Sequence, residues 1–121
     1  MEYDTLSEVE DEPLFIVPRV LAGLHAFRQQ PKLANLPGID TREERARLGA
    51  QVDALTDRLL LGVEAHPTKF WVMKQFQKTL EAIDGEDTEA REHFGRDLEQ
   101  LMDILGIESS DGVLTYYLGG I

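Results

Sequence analysis

Glu89, His93 and Asp97 recur at four-residue steps, a spacing that sets three metal-ligating side-chain types along one side of a helix. A helical metal site also needs ligands from a second helix. The other histidines, His25 and His66, have no companion at ligand spacing, and His66 stands beside Pro67. The di-iron pattern asks for Glu three residues before His, where this chain has Ala90. A solvated acidic face is therefore the simpler account, and no metal or cofactor is expected. A helical enzyme or metal protein built around Glu89 and His93 is the alternative.

Other reactive constellations are weaker still. Ser109 and Ser110 sit in Gly-Ile-Glu-Ser-Ser-Asp-Gly, a turn-forming stretch without the strand–elbow–helix context of a hydrolase serine. There is no cysteine, so thiolate chemistry and disulfides are excluded. Gly119-Gly120 falls at the chain end, with no following helix to present N–H groups to a phosphate. No catalytic residue is assigned, and the protein is not expected to be an enzyme.

Charge carries more information. Half of the first twelve residues are acidic and none is basic, while residues 84–111 hold ten acids against Arg91 and Arg96. The intervening stretch is mildly basic, within a formal net charge of −11. Such a balance disfavours nucleic acid and anionic membranes and suits a basic protein partner. Lys69, Phe70, Trp71, Lys74, Phe76 and Lys78 do interleave bases and aromatics as stacking sites do. Helical geometry buries Phe76, and it turns Trp71 away from Met73 and Leu80. Trp71 then either packs on a second neighbour or anchors an interface, as Trp often does.

The elements that position these groups follow from periodicity and punctuation. Residues 1–12 are too charged and too poor in apolar groups to condense, so a disordered acidic tail is expected. Leu14 to Val17, between Pro13 and Pro18, should lie extended. Val17, Val20, Leu24 and Phe27 predict a helix near 18–29 that opens on Pro18. Pro31, Pro37 and Gly38 mark a loop, and Asp40 with Glu43 resembles a capping box. Leu48, Val52, Leu55 and Leu59 then keep helical spacing to about 65. Leu60 and Leu61 lie off that stripe, as if touching more than one neighbour.

Thr68 is placed to cap a third helix with Val72, Met73, Phe76, Leu80 and Ile83 on one face. A fourth opens at Asp87 or Thr88, turns Phe94, Leu98, Leu101 and Leu105 inward, and ends on Gly106 in a Schellman motif, with Ile107 folding back on Met102. Val113 to Leu118 fits a short helix or a strand, and helix is the choice made. The result is an all-α domain over 13–121, with four main helices and a short last one.

On the fourth helix Glu89, Glu92, Glu99 and Asp103, with Arg96, recur at three- and four-residue steps on the face away from the core. Four acids against one arginine exceed what solubility requires. Arg42, Arg45 and Arg47 are placed to meet part of this stripe across the fold. The expected partner-binding residues are these four acids together with Trp71, Tyr116 and Tyr117.

Asp87-Thr88-Glu89-Ala90-Arg91-Glu92-His93, then Gly106 to Gly112, then Tyr117-Leu118-Gly119, resemble a small family of uncharacterised bacterial helical domains over about residues 68–121. The resemblance implies an all-helical fold in a bacterial protein and supplies no catalytic residues. In size, acidity and missing chemistry the chain is also similar to immunity proteins, which neutralise a toxin from a neighbouring or sibling cell. The expectation is a non-enzymatic inhibitor that grips a toxin's basic cleft. A self-associating module burying Trp71 is a further alternative. With no basic n-region, h-region or membrane-length apolar run, a cytoplasmic location is expected.

Overall fold

In the computed structural model, which describes residues 4–32, 42–83, 85–86 and 88–119, the chain is an all-α bundle. Its helices are α1 (Pro18–Gln29), α2 (Arg42–Gly62), α3 (Lys69–Ala82), α4 (Thr88–Leu105) and α5 (Val113–Leu118). A short 3-10 turn, Thr5–Glu8, precedes them. Among the described residues, no helix is long and apolar enough to cross a membrane. Pro37, Gly38 and the Asp40 cap lie outside the described residues.

The apolar periodicity becomes one core. Leu24, Phe27, Leu48, Val52, Leu55, Leu59, Val72, Phe76, Leu80, Phe94, Leu98 and Leu101 are all essentially inaccessible to solvent. The centre of the bundle is α2, which touches α1, α3 and α4, while α5 closes one end against α3 and α4. Leu60 is half-buried, but Leu61 is 88% exposed, so the expected second contact does not extend to Leu61.

Helix ends behave as their residues dictate. Thr68 accepts a hydrogen bond from the Trp71 N–H at 3.2 Å, capping α3. Gly106 has φ 78°, and the Ile107 N–H reaches the Met102 carbonyl at 2.9 Å, completing the Schellman turn. A Cβ at Gly106 would meet nothing within 4 Å. Gly106→Ala should therefore cost only the left-handed backbone penalty, about 1 kcal/mol in urea denaturation.

The acidic start departs from expectation. Over residues 4–12 it is not a loose tail but a strap bound to the bundle. Thr5 and Leu6 are buried, and the 3-10 turn contacts α3 and α5. Asp4 caps that turn through the Leu6 N–H at 3.0 Å, and Asp11 Oδ1 accepts the Phe70 N–H at 2.8 Å. The Glu12 carbonyl accepts the Lys69 N–H at 2.9 Å, and Leu14 N–H donates to Pro67 O at 2.7 Å. A helix start carries free N–H groups and positive partial charge. Two of the carboxylates that suggest disorder, Asp4 and Asp11, are spent there as caps, which composition alone does not reveal.

Candidate functional site

The strap, the start of α1 and the α4–α5 turn enclose an open groove of about 660 Å³. Glu10, Glu12, Asp103, Glu108 and Asp111 line it, against Arg19 and Lys69. Lys69 is already engaged. Its Nζ lies 2.7 Å from Asp111 Oδ2, and its side chain is only 6% exposed. The same carboxylate oxygen accepts the Glu10 N–H at 2.8 Å. Asp111 thus fastens the strap to the rest of the molecule, and these donors hold its carboxyl below the usual range, the Lys69 hydrogen bond most of all. Its φ of 52° is a left-handed conformation that Asp tolerates better than most residues.

A second groove, of about 390 Å³, adjoins the first around Asp103, Glu108 and Ser109. Glu99, Asp103 and Glu108 line it, and no lysine or arginine does. The C-terminal half of the α4 stripe therefore faces a continuous acid-lined depression. Glu89 and Glu92 do not reach it. From position 89 to 103 is about 21 Å along a helix axis. Glu89, Arg96, Glu99 and Asp103 are exposed and Glu92 is half-buried, so the stripe faces outward as expected. Its expected arginine partners do not gather on it. Arg47 pairs instead with Glu86 at 2.8 Å, before α4 begins, and the side chains of Arg42 and Arg45 lie outside the described residues.

The aromatic members of the expected site have other tasks. Trp71 is half-buried, stacked on His66 with centroids 5.5 Å apart, and its six-membered ring lies over Gly62. The structure thus uses Trp71 as packing between α3 and the end of α2. Tyr117 donates its hydroxyl to Glu81 at 3.3 Å, receives Gln77 at 3.3 Å, and stands edge-on to Tyr116. It braces α5 against α3. Tyr116 is 55% exposed. Phe76 is fully buried and Lys74 lies over the Phe70 ring, so the basic–aromatic run does not assemble into a stacking platform.

Glu89, His93 and Asp97 diverge because four-residue steps overshoot a 3.6-residue turn by about 40° each. Glu89 is exposed, His93 Nδ1 sits 3.4 Å from Arg96, and Asp97 turns inward. Among the described residues, no three candidate metal ligands come together. Asp97 faces Lys32 and Asp53, whose Lys32 Nζ–Asp53 Oδ1 separation is 2.9 Å, and its own Oδ2 is buried without a hydrogen-bond partner.

Burial, opposed by Lys32 and reinforced by Asp53, pushes the Asp97 carboxyl up to about 6. The folded state then holds this proton more tightly than the unfolded chain, whose Asp titrates near ~3.9. The contribution to stability is greatest below pH ~4, falls as pH rises towards 6, and stays low above. Asp97→Asn should raise stability at pH 7.5 by roughly 1 kcal/mol, a value discounted for partial exposure, and should change little at pH 4. Urea titrations of both proteins at the two pH values check the sign.

Fold and grooves together define a small helical domain whose most distinctive surface is acid-lined and assembled around the end of α4. Residues 17–121 match the family described as a domain of unknown function, DUF4844, and the chain belongs to that family. The match begins one residue before α1 and leaves out the strap. No curated protein and no solved structure matches the chain.

Proposed function

We propose that this protein is a non-enzymatic inhibitor that binds a basic protein partner, of the kind a bacterial immunity protein uses to block a toxin inside the cytoplasm. The observation that carries the reading is the acid-lined depression formed by two adjoining grooves, the second of which has Glu99, Asp103 and Glu108 on its walls and no basic residue. Fixed carboxylates on a rigid helix and a braced turn speed encounter with a cationic cleft and disfavour nucleic acid or anionic lipid. They would pair with the cationic groups that the target uses to hold its own substrate. Inhibition then needs no chemistry from this chain, only occupancy.

Affinity capture from the native host, with the product of the adjacent gene included, tests the reading. Recovery of a basic protein whose activity falls on binding supports it, and recovery of no specific partner counts against it. Charge reversal adds a quantitative check. Asp103→Lys together with Glu108→Lys should slow association with that partner about tenfold at low salt, and the difference should shrink as salt rises. Both residues lie on the surface, so the fold should persist.

A further inference from the structure

Phe15 is the most exposed aromatic side chain described, 80% accessible, and it stands where two depressions meet. On one side is the acid-lined groove of about 660 Å³. On the other is a shelf of about 360 Å³ formed by Leu14, Ile16, Val17, Glu64 and Pro67. Leu14 and Phe15 belong to both. Side chains alternate along this extended run, so Leu14 is buried and Ile16 half-buried while Phe15 and Val17, the latter 43% exposed, share the outer side. The backbone beneath is anchored, with Pro13 bridged to Thr68 and Leu14 buried, so the exposed ring is presented from a fixed support. Burial of Leu14 turns Phe15 outward, and at 80% exposure the described fold leaves its ring uncovered.

We infer that Phe15 is the anchor of a docking surface for an extended partner segment in which a cationic side chain neighbours a large apolar one. This rests on the reading of the protein as a binder of basic partners and specifies where and how the contact is made. The cation enters the acid-lined groove beside the face of the Phe15 ring, among Glu10, Glu12 and Glu108. The apolar neighbour covers Ile16, Val17 and Pro67. An arginine gains from both the carboxylates and the ring. Complementary charge selects this occupant over the alternatives. A second copy brings another −11 towards the same acidic walls, and an anionic membrane is repelled in the same way.

The test uses the full chain, isotope-labelled, and three capped peptides at low salt: alternating Arg-Leu, alternating Arg-Gly and alternating Glu-Leu. Arg-Leu should shift backbone amides over residues 10–17, 64–69 and 103–111. Arg-Gly should bind roughly tenfold more weakly and Glu-Leu not measurably. Phe15→Ser should weaken the Arg-Leu peptide by about tenfold while leaving the thermal melt unchanged, because the ring is not part of the core. Shifts on the Glu89–Arg96 face that ignore Phe15→Ser would overturn the inference and leave an acidic binding protein. Failure of every peptide would overturn it too, and partner capture then judges the broader reading separately. Equal binding of Arg-Leu and Arg-Gly removes the apolar half.

Discussion

Asp111→Ala should cost about 3 kcal/mol at neutral pH and release the strap from the bundle. The carboxylate is the ionic partner of Lys69 Nζ, and that side chain is only 6% exposed, so its largely desolvated ammonium would lose its direct partner. The Glu10 N–H loses its acceptor at the same time. Alanine also tolerates φ of 52° less well than aspartate does. Asp111→Asn separates these causes, because it keeps the backbone tolerance and an acceptor oxygen while removing the charge. Lys69→Met in the Asp111→Asn background should recover much of the loss, since no buried charge then remains unpaired.

Urea denaturation measures each variant, and hydrogen exchange at Leu6, Glu10 and Phe70 reports the strap. The pH dependence has a defined sign. Lys69 holds the Asp111 carboxyl below its ordinary value, so the stabilisation is complete above the ordinary carboxylate range and is lost as pH falls through the depressed one. The gap between wild type and Asp111→Ala should therefore narrow in acid to the pH-independent backbone cost. A difference that stays constant down to pH ~2 would remove the ion pair from the account.

Gly62→Ala is the second large effect, with an expected loss of about 2 kcal/mol. A Cβ there would stand 2.5 Å from Trp71 Cζ2 and 2.7 Å from Cη2, well inside contact distance. Alanine gains up to ~1 kcal/mol in helix propensity over glycine, so the clash must outweigh that gain. Relief is possible only if the indole tilts away and gives up its stacking on His66. Trp71→Phe shortens the ring system, and Gly62→Ala should cost less in that background. A double-mutant cycle in chemical denaturation yields the coupling, and additivity within ~0.5 kcal/mol would show that the two sites do not meet as described. The same experiment bears on recognition, because the ring edge held against Gly62 cannot also contact a partner.

The strap and the Trp71 contact both show how buried contacts hold the acid-lined surface in place. Rigid carboxylates favour encounter only where their positions are fixed, and here buried contacts do the fixing. Asp111 is held by Lys69, Glu10 by Asp111, and Leu14 by Pro67. If the protein binds a basic partner as proposed, loosening the strap should weaken that binding as well as stability, even though Lys69 itself is hidden.

The sequence by itself determined the helices, their faces and several of their ends. Val20, Leu24 and Phe27, or Phe94, Leu98 and Leu101, repeat at the period of an α-helix, and Thr68 and Gly106 are residue types whose local chemistry starts or stops one. It also determined the outward acidic face of α4, because the inward face was already claimed by apolar groups. Only tertiary structure decided that Asp11 caps the distant start of α3, that Trp71 fills the space over Gly62, and that Asp97 turns towards Lys32 while Glu89 stays in water. Several of these are meetings between residues far apart in the chain. Periodicity records which side a residue occupies but not what arrives there. The grooves have the same origin, since Glu10 and Asp111 become neighbours across 101 positions through one hydrogen bond that no local pattern encodes.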